Sequence, residues 1–507
     1  MAFNAGPVGS SLLQFSLELS VGGGAAAIPI NNATVQYTIV RTPSLLPRAE
    51  VSAVVGKSMA GGADADAFNT LRAVKRGDKA TLTFSTGGGA GRVIFEGYVN
   101  GVSIFRTDSS YGVTVSLVHW LSALAGTAAY YAGLDSMFPE SKMRYVSSKL
   151  GSGASSAAAP VITMLGVYNA VTERANIWEA FHNALKAAQA DAVSSGTGSG
   201  ANNIGTALVG NSRGFAALGR IIGMAELIPG STAKVSKAVK ETFARLAFSG
   251  NMGGRTLLDK LLVFCNMMHL MLLPGATTAA IAPEGSLASC QRGATLTVDE
   301  EVLARVLLAK NPEVRGCFMY GAGEGIDSGS VGVKDTYPVA CYDAGADTDG
   351  LMISVVCPPW LSGFVRPSLV FLTAGNGYSG EAAPTDDGGS AERDEMRQAI
   401  QEMGNRWCKL QWAVESCRGS SSTVEGPLRF DIGPGTQLGL APGTPDGADG
   451  GVQVIGLVEG VEIALDASAA AVSTRYTISG ARLVSDDRGL QSHPLYGAYV
   501  ESWPIEA

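Results

Sequence analysis

The chain has 507 residues, which suggests about two to four domains. Hydrophobic residues make up 46% and charged residues only 16%, which excludes a disordered chain of low hydrophobicity and high net charge. The 65 glycines follow no Gly-X-Y period, so they exclude collagen and indicate many turns with β structure. A net charge of −8 without a basic tail does not suit a protein that grips nucleic acid by its phosphates, although it suits a passage through which DNA slides.

After an N-terminal segment, residues 1–33, the chain alternates strand and turn signals as far as residue 118. Six short segments are rich in β-branched and aromatic residues and are separated by Gly, Asn, Asp and Ser. These segments are 34–40, 50–55, 80–84, 93–95, 102–105 and 113–118. Short strands at this spacing predict a small antiparallel β-barrel or sandwich over residues 34–125.

Residues 126–330 are rich in Ala, Gly and Ser and predict a helical or mixed insertion. Apolar stripes at helical spacing lie at 178–188, 235–246 and 258–268, and a capping-box pattern at 297–300 precedes a fourth stripe. A connecting region, 331–423, contains a predicted long helix near 392–417. Strand signals return at Val424, so residues 424–507 are predicted to form a second barrel and a C-terminal arm.

The two β regions share an internal repeat. With a shift of 359 positions and no gaps, nine of the 23 residues from 91 to 113 are identical to residues 450–472. The shared pattern, V-x-x-x-G-x-V-x-G-V-x-I, describes a strand that is interrupted at a glycine, where a bulge or bend is expected. Two unrelated glycine-interrupted strands would give a similar pattern, but a duplicated β-barrel with a helical insertion between the copies explains it better.

The repeat also nominates structural residues at turns and bends. A turn precedes a strand at Lys75–Lys79 and again at Gly433–Thr436. The residues expected to hold the turns and bends are Gly97, Gly101, Gly456, Gly460, Gly433, Pro434 and Gly435. The fold class predicted from all these patterns is mainly β with α insertions, an α+β chain with two similar antiparallel β-barrels separated by a helical, Ala/Gly-rich insertion.

The search for chemistry gives no catalytic, cofactor-binding or metal site. The four histidines, His119, His182, His269 and His493, lack the partners of a metal or catalytic motif. Gly56-Lys57-Ser58 follows a strand, but Val51 stands where a phosphate-binding loop needs glycine. The seven cysteines include no CxxC pair and predict reduced thiols in a protein that folds in the cytosol. The start of the chain lacks signal-peptide features, and no stable membrane insertion is expected.

Several segments resemble one protein family. Residues 93–101 (VIFEGYVNG) and 112–121 (GVTVSLVHWL) resemble the first tube-like barrel of the baseplate or tail-tip hub proteins of tailed bacteriophages. Residues 404–408 through 426–435 are similar to the helix and turn that lead into the second barrel, and residues 262–274 to a helix between the barrels. Residues 126–250 have no counterpart in this resemblance.

The resemblance implies a structural role in the tail tip of a virion that is assembled in the host cytoplasm. Such hubs are homotrimers that contact the tail tube or distal tail protein on one side and a central spike or tip protein on the other. The tape measure protein is a further expected partner, and DNA passes through the centre only as transiting cargo. Related hubs occur in contractile injection systems.

Two other functions remain open at this stage. A cell-wall-degrading tail enzyme would need paired carboxylates or a Cys/His site, and the sequence shows neither. A receptor-binding β module would expose clustered aromatic residues, whereas only 7% of this chain is aromatic. The sequence therefore predicts a non-enzymatic hub.

Overall fold

The structure is a computed structural model, and it describes most of both β regions and parts of the middle of the chain. The described residues are 14–22, 27–56, 69–70, 73–86, 91–106, 110–127, 213–223, 256–268, 270–283, 294–308, 314–324, 334–343, 350–357, 404, 405, 407–409, 411, 412, 414, 415, 421–444, 447–448 and 451–483. The helices predicted at 178–188 and 235–246 lie outside these residues, as do His182, His269 and His493.

Seven strands form in the first β region, because apolar and polar residues alternate along them. In the first strand, for example, Leu17 and Leu19 are buried while Glu18 between them is exposed. The strands are β1 (Phe15–Val21), β2 (Ile28–Ile30), β3 (Asn32–Thr38), β4 (Arg48–Gly56), β5 (Lys79–Thr86), β6 (Arg92–Arg106) and β7 (Ser110–His119). A short 3-10 helix, Pro43–Leu45, joins β3 to β4. The strands predicted at 93–95 and 102–105 are two parts of the single strand β6.

The middle of the chain supplies short helices and a small sheet. Its elements are α1 (Ser122–Ala125), α2 (Arg213–Leu218), β8 (Ile221–Gly223), α3 (Leu257–Met268), β9 (Leu270–Pro274), β10 (Ala279–Pro283), β11 (Ala294–Val298) and α4 (Glu300–Leu308). Helix α3 begins at a reciprocal cap, in which the Asp259 carboxylate accepts from the Thr256 backbone N–H at 3.1 Å and the Thr256 hydroxyl accepts from the Asp259 N–H at 3.2 Å. Strands β8, β10 and β9 pair in that order.

A second three-stranded sheet follows, and then the strands of the second β region. The sheet orders β13 (Lys334–Asp343), β12 (Val314–Glu324) and β14 (Leu351–Val356), and the described residues between 404 and 415 are helical. The remaining strands are β15 (Ser421–Gly426), β16 (Gln437–Thr444), β17 (Gly447–Ala448), β18 (Val454–Asp466) and β19 (Ala471–Leu483).

Both β regions belong to one sheet of 13 strands. Its main path is β11-β16-β18-β3-β4-β7-β6-β5-β1-β2, while β19 pairs with β18 and β15 pairs with β19. The prediction of a mainly β chain is confirmed. Two barrels held apart by an insertion are not what the pairing shows, because β3 of the first region pairs directly with β18 of the second and the sheets are not closed. One cluster of buried apolar side chains runs through both regions.

Candidate assembly site

The two predicted glycine turns have the same conformation. Residues 75–78 and 433–436 each close with a backbone hydrogen bond from the fourth residue to the first, at 3.1 and 3.0 Å. The third residue of each turn has a positive φ, 87° at Gly77 and 84° at Gly435, which favours glycine. In each turn the fourth side chain, a carboxylate or a hydroxyl, accepts from the first backbone N–H, at 2.8 and 3.1 Å.

Each turn is then fixed to a long strand by two backbone hydrogen bonds. Gly77 donates to the Val99 carbonyl at 2.8 Å, and the Val99 N–H donates to Asp78 at 2.9 Å. In the second region Gly435 donates to the Val458 carbonyl at 2.8 Å, and the Val458 N–H donates to Thr436 at 2.9 Å. Val99 and Val458 are paired by the 359-residue shift, so the repeat extends to individual hydrogen bonds.

The bulge expected from the repeat lies directly after these valines. The register of β6 against β7 shifts between Val99 and Gly101, and that of β18 against β19 shifts between Val458 and Gly460. Four strands share one order in both regions, β4-β7-β6-β5 in the first and β15-β19-β18-β16 in the second. We call these four-stranded groups the first unit and the second unit.

The predicted bend glycines fall into two kinds. A Cβ atom at Gly97 would lie 1.9 Å from the Val118 carbonyl oxygen, and one at Gly456 would lie 2.2 Å from a side-chain carbon of Ile478. Gly101 and Gly460, at the bulges, leave more room, with nearest atoms at 3.2 and 3.1 Å. Neither of them is among the positive-φ glycines. Close approach between strands therefore requires glycine mainly at 97 and 456.

The second turn is also a contact point between elements. Gly433 has no atom within 4 Å of an added Cβ, and Pro434 takes the second position of the turn, which suits its fixed φ. Gly435 packs directly on Leu273 of β9, since an added Cβ would lie 2.6 Å from that side chain. In the first turn the Gly77 carbonyl instead accepts from the Arg213 guanidinium at 2.8 Å. The small sheet thus contacts the second turn, and its flanking helix α2 contacts the first.

The two units meet where β3 pairs with the later half of β18, from Gly460 to Asp466. An ion pair fixes this junction, because Arg41 lies 2.6 Å from the Glu459 carboxylate at the bulge. The same carboxylate accepts from the Ser479 hydroxyl at 2.9 Å, and the Glu459 carbonyl accepts from the Ile39 N–H at 2.9 Å. Sequence reasoning missed this pair, although an acidic residue directly before a glycine inside an apolar run was a visible signal.

A buried histidine joins the first unit to the small sheet. His119 is fully buried; its Nδ1 accepts from the Leu121 N–H at 3.4 Å, so its Nε2 donates to the Gly275 carbonyl at 3.0 Å. Burial lowers the pKa of His119 to about 3, although the bond to Gly275 opposes the shift. The ring is therefore neutral at physiological pH and serves as a structural donor.

Beside it, Glu96 in the earlier half of β6 binds two cations. Its carboxylate accepts from Arg220 at 3.0 and 2.7 Å and lies 3.0 Å from the Lys79 ammonium. Burial by itself would raise the pKa of the Glu96 carboxyl, but the hydrogen bonds from Arg220 and Lys79 outweigh burial and lower it. The Arg220 guanidinium also lies 4.2 Å from the centre of the Trp120 ring, so the network ties β8 to the first unit.

Several of the described cysteines gather at the second three-stranded sheet. Cys317, Cys357 and Cys408 are buried there and Cys341 is exposed. A hydrogen bond with Cys317, together with burial, raises the pKa of the Cys408 thiol, and burial raises that of Cys357 to about 12. These thiols are therefore protonated at neutral pH, which makes them weak nucleophiles and weak metal ligands.

Two searches cover only the part of the chain that the structure describes. Within it, His, Cys, Asp and Glu side chains form no group of three or more that is placed to hold a metal ion. Within the same residues, every helix is too short or too polar to span a bilayer.

Comparison with protein-family models gives no match, and neither does comparison with curated protein sequences. Among solved structures, the chain is similar to a tail protein from Neisseria meningitidis MC58, with 11% identity and a TM-score of 0.42 over 95% of this chain and 98% of that one. It is also similar to the 43 kDa tail protein of prophage MuSo2 from Shewanella oneidensis, with 9% identity and a TM-score of 0.39 over 92% of this chain and 98% of that one. A type VI secretion system component from E. coli has 7% identity and a TM-score of 0.34 over 92% of this chain and 77% of that one. Two of these structures are thus tail proteins, and the third is a component of a type VI secretion system.

Proposed function

We propose that the chain is the structural hub of a phage tail baseplate or tail tip, a homotrimeric ring that joins a sixfold tail tube to a threefold central spike. The observation that carries this proposal is the duplication inside one sheet, in which both units have the same turn, the same bulge and the same strand order. Two related units per chain give six related units in a closed ring of three chains. Such a ring offers a near-sixfold face to the tube and a threefold face to the spike.

The pairing of the N-terminal strands supports a tube-like shape for the first unit. Strand β2 pairs with β1, which lies at one end of the unit beside β5, and β3 pairs with β4 at the other end. Only Asn31 separates β2 from β3, so one nearly continuous strand contacts both ends. We propose that this arrangement curves the first unit into a tube-like shape, although its sheet is not closed into a barrel.

The proposed ring encloses part of the DNA-ejection channel. Three chains carry a formal charge of −24, three times the −8 of one chain, and a wall of this sign lets phosphates slide without long residence. The proposed contacts are the tail tube or distal tail protein, the spike and the tape measure protein. The role is mechanical, without a catalytic step, and hydrolysis of peptidoglycan by the purified chain would overturn that part of the proposal.

A reconstruction of the particle tail with this chain labelled tests the proposal. We expect three copies in one ring at the end of the tail tube, with few Lys or Arg side chains on the inner wall. Six copies in a ring, or one copy on the axis, would overturn the hub. A trimer with a strongly basic bore would overturn only the sliding of DNA.

A further inference from the structure

The later half of β6, residues 101–106, has a partner on one side only among the residues that the structure describes. It pairs with β7 as far as Arg106. On the other side β5 pairs with the earlier half of β6 and ends at the pair Lys79–Tyr98, before the bulge. We call residues 101–106 the open half-strand, because its second edge is not covered by any described strand.

The second unit shows what belongs at that edge. Its counterpart of the open half-strand, residues 460–465 of β18, lies after the equivalent bulge and pairs with β19 on one side. On the other side, where the first unit is open, β18 pairs with β3, from Gly460 opposite Thr38 to Asp466 opposite Asn32. Among the described strands, the same position is therefore an internal junction in one unit and has no partner on its second side in the other.

Side-chain exposure follows this difference in pairing, although the residues are identical. Val102 is 36% exposed and its counterpart Val461 only 4%, while Ile104 is 56% exposed and its counterpart Ile463 only 7%. Phe105, on the opposite face of the open half-strand, is 41% exposed. The first unit thus presents to solvent the apolar side chains that the second unit buries under the strand joining it to its neighbour.

The bulge residues show the same contrast. Glu459 at the bulge of the second unit is bound by Arg41, from the segment that follows β3. Asn100, at the bulge of the first unit, is exposed. An open strand edge that also carries exposed apolar side chains is a site for pairing with another strand, because it offers both backbone hydrogen bonds and area to bury.

We propose that a second copy of this chain covers the open half-strand with the outer edge of its second unit. Strand β15 is the described edge that fits, because it pairs only with β19 and so has the place in the second unit that β4 has in the first. Within one chain, β3 lies beside β4 on the outer side of the first unit and pairs with β18 of the second unit. Between chains the second unit offers its β15 side to the open half-strand, so the contact is head-to-tail.

A head-to-tail contact between two different surfaces builds a ring when its rotation closes. The inference deepens the proposed function and rests on it only for closure at three copies. It assigns the contact between chains to Val102, Ile104 and Phe105 on one side and to β15 on the other. At each contact between neighbouring units of the ring, whether within one chain or between chains, a strand of the neighbour then covers the half-strand that follows a bulge.

The first experiment measures the mass of the full-length chain by sedimentation at the highest soluble concentration. We expect about 156 kDa for wild type, which is three chains of 52.1 kDa, and a single-chain mass for Ile104→Asp. Leu351→Asp is the matched control, since Leu351 is an exposed apolar residue on a different sheet, and it should leave the ring intact. A wild-type chain that stays monomeric, or a ring that survives Ile104→Asp, would overturn the inference.

A second measurement keeps the test valid if Ile104→Asp fails to fold. Ile104→Cys and Thr423→Cys chains are prepared separately, mixed and treated with a short bifunctional thiol reagent. We expect a linked dimer of about 104 kDa from the mixture, in excess of the background that each variant gives alone through its native cysteines. No excess in the mixture would exclude β15 as the partner edge. Slow labelling of the thiol introduced by Ile104→Cys in a monomeric chain would show that another segment of the same chain covers the edge.

These outcomes separate the inference from the proposed function. A trimer that survives Ile104→Asp removes this interface and leaves the hub proposal standing. A ring that depends on Ile104, but lies elsewhere than at the end of the tail tube in the reconstructed particle, removes the hub and leaves the interface.

Discussion

The first and second units differ most where their sequences are most alike. Gly101, Val102 and Ile104 have identical counterparts in the second unit, yet the two isoleucines are 56% and 7% exposed. The turn, its two hydrogen bonds to Val99 or Val458 and the bulge are the same in both units. These features depend on residues that are close in sequence or lie in adjacent strands. Burial differs because it depends on which strand lies beside the unit.

The strands that lie beside the two units also differ, although the units themselves are alike. In the first unit β5 pairs with β1 in antiparallel fashion, whereas in the second unit the equivalent strand β16 pairs with β11 in parallel. Where β3 meets the second unit an ion pair closes the contact, and where the small sheet meets the first unit a neutral histidine does so. A repeated sequence therefore specifies the unit, while the neighbours of each unit are specified by residues outside the repeat.

The largest expected effect tests the close approach of strands in the two units. In Gly97→Ala the new methyl would meet a backbone oxygen 1.9 Å away, so the strands must separate, and we expect a loss of about 3 kcal/mol in the free energy of unfolding. In Gly456→Ala the obstacle is the side chain of Ile478, which can shift, and the expected loss is about 1 kcal/mol. Denaturant unfolding measures both.

Gly433→Ala is the control for these substitutions, because an added Cβ there meets nothing within 4 Å. We expect it to change the free energy of unfolding by less than about 0.5 kcal/mol. Equal losses at Gly97 and Gly456 would mean that the two units tolerate the extra atom alike, and the distinction between backbone and side-chain contact would then be wrong.

The second effect belongs to the first unit alone. Because burial holds the pKa of His119 at about 3, against 6.5 for an accessible histidine, the unfolded chain takes up a proton at this site between these values and the folded chain does not. Stability must therefore fall as the pH falls through this window. His119→Gln, which keeps an N–H donor for the Gly275 carbonyl, should lose about 2 kcal/mol less than wild type between pH 7 and pH 5.

Comparing wild type with His119→Gln removes the contribution of the carboxylates to the pH dependence of stability, because the carboxylates titrate in both proteins. Unfolding midpoints in denaturant at several pH values give the difference directly. If wild type and His119→Gln have parallel pH profiles, then His119 takes up its proton in the folded state as well and is not the neutral donor that its contacts indicate.

The third effect concerns the left-handed turn glycines. Gly77→Ala places a side chain at φ 87° with no other obstacle, and we expect a loss of about 1 kcal/mol. Gly435→Ala has nearly the same φ but also meets Leu273 at 2.6 Å, so its loss should be larger, about 2 kcal/mol. The difference between the two variants in thermal unfolding measures the contact of the second turn with β9. Equal losses would show that this contact adds nothing.

The sequence predicted the parts of the fold that short-range patterns encode. Alternation located the strands from β3 to β7. The capping-box pattern at 297–300 predicted a helix close to α4 but placed its cap two residues too early, because Thr297 belongs to β11 and the Leu303 N–H donates to the Asp299 carbonyl at 3.1 Å. The 359-residue shift anticipated the equivalent bulges at Asn100 and Glu459. Each of these features follows from residues within a few positions of one another or from a direct comparison of the two copies.

Long-range partners were beyond the reach of sequence patterns. Nothing local to Phe15–Val21 states that β1 pairs with β5, about 65 residues later, and the N-terminal segment was not predicted to join the sheet. The same holds for Arg41 with Glu459, which lie 418 residues apart. The pairing of β3 with β18, which makes one sheet from two predicted barrels, also rests on such distant contacts. The role of residues 126–250 falls almost wholly outside the described residues.

The smallest effect is the sharpest test of the difference between the units, and it concerns the two bulge glycines. In Gly460→Ala the new methyl meets the Tyr37 carbonyl oxygen of the joining strand β3 at 3.1 Å, so the neighbouring strand must yield by a few tenths of an ångström. We expect a loss of about 0.5 kcal/mol in the unfolding of the chain. In Gly101→Ala the nearest atom is the Ser116 hydroxyl at 3.2 Å, which can rotate away, and the fold should be unaffected.

For assembly of the ring we expect the opposite order, with the larger effect from Gly101→Ala. If a second copy occupies the edge of the open half-strand, Gly101→Ala places its methyl against the incoming strand, where Gly460→Ala meets β3. Gly101→Ala should then weaken the ring several-fold in a sedimentation dilution series without lowering the unfolding temperature of the dissociated chain. Gly460→Ala should lower that temperature slightly and leave ring dissociation unchanged, because its crowded contact lies within one chain. If Gly101→Ala leaves both measurements unchanged, no strand docks at the first bulge, and the two units differ there in their final assembly as well.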